Sequence, residues 1–313
     1  MERSVGVGMV EMVSTVVVTT FDKTTIAQVA IKEETVLAED FILKVGRALG
    51  LKQNSIKFFG IFQGLLHPTK KFRSIDAVPM NEKGLTFQKW CFDSNKESKL
   101  LKDPIAAQLV HAQAKAYIQE GLLKPSEALS TQLEDNTDPS STVKYVRLCH
   151  SIPGYNSVVI LDCRLNKEFG LLPEIPADTV VNLCLLQRGM VLGVVRADCS
   201  QEEEYFVSWR KIQRWRKSET DDCLVTYDVY SVPSDDYSSL YLQTTQANYL
   251  LAATMEMIKG LQSELEGPIF QTSDLTRNKR HEVIEWNNIV YSENRFNAER
   301  EFAEKYVEVS MLR

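Results

Sequence analysis

The chain has 313 residues, 44% apolar and 25% charged. It is long enough and apolar enough to bury cores in roughly two or three domains, which excludes disorder over its whole length. With 36 basic residues against 42 acidic ones, the net charge of -6 argues against a protein held mainly on nucleic acid phosphates.

Cys91, Cys149, Cys163, Cys184, Cys199 and Cys223 form no Cys-x-x-Cys pair. Neither the usual zinc spacing nor a disulfide framework is expected, and a reducing, cytoplasmic setting fits better. No apolar run approaches the ~20 residues of a spanning helix, so membrane contact is expected to be peripheral. Gly6-Val7-Gly8 resembles the start of a dinucleotide fingerprint, but Glu11 stands where the third glycine belongs. No phosphate-binding loop, Gly-x-Ser-x-Gly elbow or His-Glu-x-x-His pair occurs. His67, His111, His150 and His281 fall in different segments, and Cys149-His150 on a helix would point about 100° apart. No enzyme, cofactor or metal is therefore expected.

In chain order, residues 14–95 read as an α+β lobe. Stretches 15–21 and 24–32 make a hairpin. Helical spacing over 35–49, with Val36, Leu37, Phe41, Val45, Ala48 and Leu49 apolar, stops at Gly50. Stretches 55–62 and 85–91 are strands. The order hairpin, helix, strand, loop, strand is that of a ubiquitin-like β-grasp. Residues 96–153 read as a short helical lobe. Asp103-Pro104 is an N-cap followed by proline at the first helical position. Pro125-Ser126 opens a second helix, and 142–149 is a third. From 154 to 266 the pattern is strands at 157–163, 179–185, 190–195, 204–209, 211–216, 223–229 and 240–244, then a helix over 246–266. Seven strands capped by one helix describe a pleckstrin-homology or phosphotyrosine-binding (PTB) sandwich. Residues 267–313 form a C-terminal tail with a basic cluster, Arg277 to Arg280, and a charged amphipathic pattern over 299–312.

The fold class is thus α+β multidomain, and the lobe order resembles a FERM domain. Phe58, Phe59, Gly60, Ile61 and Phe62, then Lys89 to Asp93, then 103–120 with its Ala112-Gln113 step, are similar to the FERM module of the PX-FERM sorting nexins. So are Ser208-Trp209 and Arg214-Trp215-Arg216. The resemblance covers about 15–266. Those sorting nexins carry a lipid-binding PX domain ahead of the FERM module. The first strand here begins near residue 15, so no PX domain is expected in this chain.

The resemblance implies a non-enzymatic adaptor in endosomal sorting, cytoplasmic and peripheral on the endosomal membrane. Its PTB-like lobe would bind Asn-Pro-x-Tyr or Asn-x-x-Tyr sequences in cytoplasmic tails of membrane receptors. The alternative is a membrane–cytoskeleton scaffold on phosphoinositide lipid; no nucleic acid partner is expected. Binding would be β-augmentation, in which a sheet edge offers unpaired N–H and C=O groups to an extended peptide. The implied edge is 210–217, with Ile212, Arg214 and Trp215 at the peptide, and the implied wall is the following helix, with Leu250, Leu251, Thr254, Met255 and Ile258. Strict alternation puts Arg210, Ile212, Arg214 and Arg216 on one face and Trp215 on the other, among Lys211, Gln213 and Lys217. Ile212 is then the better core candidate, and a core position is the competing reading of Trp215. The basic residues of this edge serve by default to discourage edge-to-edge aggregation. In the tail, Asn288-Ile-Val-Tyr291 is itself an Asn-x-x-Tyr sequence, so Asn288 and Tyr291 are candidate residues of a ligand in cis; a chance match is the plainer account.

Overall fold

The computed structural model describes residues 14–22, 26–31, 34–79, 81–172, 175–194, 203–231, 236–265 and 290–291. It is a mixed α+β chain with several sheets and, among the described residues, seven α-helices. β1 (Ser14–Thr19) and β2 (Ile26–Ile31) form an antiparallel hairpin. Val16 and Val18 are buried while Val17 is 50% exposed, as a period of two requires. After β3 (Thr35–Leu37), α1 (Ala38–Ala48) buries Phe41 and Val45. Just beyond it, Gly50 at φ +83° takes the left-handed conformation glycine tolerates without strain.

The stretch 55–62, expected as one strand, divides. α2 (Gln53–Ile56) is a single helical turn and β4 (Phe59–Gln63) follows it. The reason lies at α1. A side chain at Gly46 would come within 2.8 Å of Ile56, so glycine there lets Ile56 seat against the helix. β5 (Lys70–Lys71), β6 (Ala77–Pro79) and β7 (Leu85–Lys89) complete this part. The main sheet runs β2-β1-β7-β4-β5, with β1 parallel to β7; β3 and β6 pair separately.

Four helices follow: α3 (Ser94–Leu100), α4 (Pro104–Gln119), α5 (Glu127–Glu134) and α6 (Thr142–Cys149). The Asp103 carboxylate accepts the Ile105 N–H at 3.1 Å and, from the loop after α1, the Lys52 N–H at 2.8 Å. One cap therefore starts α4 and ties it to the first sheet's helix. A single apolar cluster runs from Ile61 and Phe87 of the sheet to Val110 of α4 and Val146 of α6. Beside it sits a buried ionic group. Glu97 of α3, 0% exposed, accepts from Lys89 Nζ at 2.7 Å and from the Tyr155 hydroxyl at 3.0 Å. His150 Nε2 lies 2.8 Å from its other oxygen. Burial pushes the Glu97 carboxyl up, but Lys89 and His150 together outweigh this and hold it below its ordinary value.

The third part contains β8 (Val158–Leu165), β9 (Val180–Leu186), β10 (Gly189–Val194), β11 (Glu203–Ser208), β12 (Ile212–Lys217), β13 (Leu224–Ser231) and β14 (Asp236–Gln243). α7 (Ala247–Leu265) follows, and a two-residue β15 (Val290–Tyr291) ends the described chain. The strand order is β11-β10-β9-β8-β14-β13-β12-β15. Residues 209–211, of which Trp209 and Lys211 are expected in strands, form a 3-10 turn that carries the chain from β11 at one end of this order to β12 near the other. Trp209 anchors that turn, fully buried and donating its indole N–H to the Leu186 carbonyl at 2.7 Å. α7 covers the sheet, and Leu250, Met257 and Leu261 join its core.

α7 also meets the first part. Tyr249 lies 6.1 Å from the Phe62 ring and 5.9 Å from Trp90, and Phe62 and Trp90 are 5.4 Å apart. Just before the helix, Gln246 donates to the Pro68 carbonyl at 3.0 Å. None of the described helices is long and apolar enough to cross a membrane. The helical pattern expected at 299–312 lies outside the described residues.

Candidate functional site

β12 carries the residues expected at the peptide edge, and its pairing corrects their predicted faces. Ile212 pairs with Val229, but Arg214 already pairs with Asp228, so Gln213 is an extra residue on this strand. Such a bulge breaks alternation and turns the later residues over. Ile212 and Trp215, expected on opposite faces, are both buried, at 4% and 3% exposure. Both belong to the core cluster beneath α7. The buried Trp215 indole N–H has no hydrogen-bond partner among the described residues, an arrangement that costs about 1–3 kcal/mol unless an acceptor arrives.

Arg214 lies across from Asp228 of β13, and Arg216, opposite Thr226, reaches it diagonally. Arg214 Nε is hydrogen-bonded to the Asp228 carboxylate, and Arg216 reaches the same oxygen at 2.8 Å. Ser239 of β14 donates to the other oxygen at 2.7 Å. Burial pushes this carboxyl up, yet Ser239 and the two guanidinium groups prevail and hold it below its ordinary value. Two of the edge's basic side chains are therefore engaged inside the sheet. Lys217 is likewise paired with Asp222 at 2.6 Å. Asp228 and Ser239 were not anticipated as site residues. The available signal was a lone aspartate within the otherwise apolar or hydroxyl-bearing stretch 224–230.

α7 divides the expected wall residues in two. Leu250 and Thr254 are fully buried, and the Thr254 hydroxyl is hydrogen-bonded to the Tyr227 hydroxyl at 2.8 Å. These two face the core rather than a groove, because they share the stripe of Met257 and Leu261. Leu251, Met255 and Ile258 recur on an adjacent face at steps of four and three, but Leu251 and Ile258 are also buried members of the core cluster, at 8% and 4% exposure. Met255 is half-buried and packs on the edge of the core. Asn248, one turn ahead of Leu251, accepts from Lys217 Nζ at 3.4 Å, which sets the end of β12 beside this face. α7 packs against β12 along the same side.

The outer edge of β12 is occupied. β15 pairs with it antiparallel, Arg214 opposite Tyr291 and Trp215 opposite Val290. Tyr291 thus lies, by its backbone, on the strand expected to take peptides; Asn288 lies outside the described residues.

A separate groove of about 1010 Å3 reaches α7 at Glu256 and Gly260, away from the face of Leu251 and Met255. Its lining carries Lys57, Lys71, Lys96 and Lys99 against Glu39, Asp93 and Glu256, a mixed field with a small basic excess. Among the described residues, no three His, Cys, Asp or Glu side chains gather where a metal ion could sit.

No family model matches the sequence. Over 142 residues the chain is 24% identical to a mouse (Mus musculus) protein, sorting nexin-31, a match covering 41% of this chain and 32% of that protein. The matched stretch is thus about a third of the relative's length.

Proposed function

We propose that this chain is a non-enzymatic adaptor of FERM-like build, with a ubiquitin-like lobe, a short helical lobe and a PTB-like lobe. The edge of β12 and the face of α7 carrying Leu251, Met255 and Ile258 bind Asn-Pro-x-Tyr or Asn-x-x-Tyr sequences in the cytoplasmic tails of membrane cargo. The observation that carries this reading is the antiparallel pairing of Val290–Tyr291 with β12: the edge accepts an extended segment, and that segment closes an Asn-x-x-Tyr sequence. The partial similarity to sorting nexin-31 supports a role in sorting, which on this reading takes place at the endosomal membrane.

The site reads peptide by main-chain pairing, with side-chain pockets giving selectivity. The Trp215 indole N–H is placed in the buried layer behind the edge and supplies a donor for a ligand acceptor. Phosphate on the ligand tyrosine is not required, because Arg214 and Arg216 are already engaged by Asp228. The test is calorimetric titration of the full chain with an Asn-Pro-x-Tyr peptide, its tyrosine-phosphorylated form and a Tyr→Ala control. Binding of the first, with equal or weaker binding of the second and none of the third, is expected. Failure to bind the unphosphorylated peptide, together with co-sedimentation with phosphoinositide vesicles, would favour a lipid-bound scaffold instead.

A further inference from the structure

We infer that the tail segment at Val290–Tyr291 is a built-in competitor, which occupies the β12 edge in cis and must be displaced before an incoming peptide binds. This rests on the peptide-binding reading of that edge. The argument starts from the backbone. β12 would be the last strand of its sheet if β15 were absent, leaving a row of N–H and C=O groups without strand partners. β15 takes these positions opposite Arg214 and Trp215, the two residues on which the peptide site is centred. The segment is not generic in sequence: Asn288 and Tyr291 stand in the spacing the edge is proposed to recognise.

Reach is sufficient. Residues 266–289 join the end of α7 to β15, and a coil of that length has an r.m.s. span of about 25–30 Å. α7 packs directly on β12, so the tether begins on the element that walls the groove. Tethering of this kind produces an effective concentration of about 1 mM. A two-residue strand is a weak ligand. If its intrinsic dissociation constant is about 0.1–1 mM, the tail lowers the apparent affinity for incoming peptide by about two- to tenfold. That range suits a threshold: strong cargo sequences displace the tail, and sequences no better than the tail's own do not.

The experiment uses the full chain and a Val290→Pro/Tyr291→Pro variant. Neighbouring strand residues turn their N–H groups to opposite sides, so replacing both removes whichever donor faces β12. Far-ultraviolet circular dichroism and the melting temperature serve as folding controls. Affinity for an Asn-Pro-x-Tyr peptide is measured by calorimetry, and amide hydrogen exchange is followed across 212–217 without peptide. The variant is expected to bind about two- to tenfold more tightly and to exchange faster at 214–216. Equal affinity and equal exchange would overturn the cis contact while leaving the peptide site standing. Equal affinity with faster exchange would mean that the tail touches the edge without competing, which also overturns the inference. Peptide binding by neither protein would remove the peptide reading and the competition with it.

Discussion

Trp215 meets two demands that conflict. Its ring belongs to the core beneath α7, while its N–H is buried without a partner among the described residues. Two substitutions separate them. Trp215→Ala removes both and is expected to cost about 3–5 kcal/mol in urea unfolding, as large core truncations do. Trp215→Phe keeps most of the volume and removes the donor. It is expected to hold stability within about 1.5 kcal/mol but to lose about tenfold in peptide affinity, corresponding to about 1.4 kcal/mol. A Phe variant that binds like the wild type would take the N–H out of the contact. Asp228 supports a second prediction. Asp228→Ala releases Arg214 and Arg216, so the ratio of affinities for phosphorylated over unphosphorylated peptide should rise. An unchanged ratio would show that the guanidinium groups stay out of the ligand's reach. The sequence marked Arg214 and Trp215 as neighbours of the edge but not Asp228, because only strand pairing brings the acid between the two arginines.

At the scale of elements, alternation predicted where the strands fall far better than which way β12 faces. Apolar strings such as Val180–Leu186 and a proline after an Asp cap in α4 are local signals, and both elements formed where expected. A bulge is a pairing event between distant strands and leaves no local trace. That is why Ile212 and Trp215 were placed on opposite faces. α2 was missed for a related reason: Ile56 looks like part of a strand until Gly46 is known to lie against it. Deleting Gln213 should remove the bulge and leave Ile212 and Trp215 two positions apart, the spacing of one strand face, so that both stay inward opposite Val229 and Tyr227. The expected result is only a small loss by denaturant titration; a loss of several kcal/mol would mean that the bulge itself is needed for the twist of the sheet edge. α7 offers a paired contrast. Leu250→Ala, at a fully buried position, should cost about 2–5 kcal/mol with little specific effect on the peptide. Met255→Ala, at a half-buried one, should do the reverse.

Across the whole molecule, Glu97 joins α3 to the end of β7 through Lys89, and to the residues after α6 through His150 and Tyr155. Its folded carboxyl lies below the ordinary 4.5. The unfolded chain therefore holds a proton that the folded chain has already released. The stabilisation is fully present above the unfolded value and is lost as pH falls through the folded one. Unfolding free energies measured from pH 7 downward should fall in the acid range more steeply for the wild type than for Glu97→Gln. Parallel curves would assign the acid sensitivity to other carboxylates. Glu97→Ala at pH 7 is expected to cost about 3–5 kcal/mol, since it leaves the Lys89 ammonium buried beside an empty site.

α7 has almost no idle surface. One stripe fills the sheet's core, Tyr249 closes on Phe62 and Trp90, Gln246 just before it holds the Pro68 carbonyl, and Asn248 meets Lys217 at the end of β12. Mutational drift in this helix is therefore confined. A change on the first two faces alters folding before it alters recognition, so selection for a new ligand has few positions through which to act. Half-buried Met255 is the place where sequence could diverge between descendants of this protein that prefer different peptides, while Leu250, Thr254, Ile258 and Tyr249 stay tied to the architecture they hold.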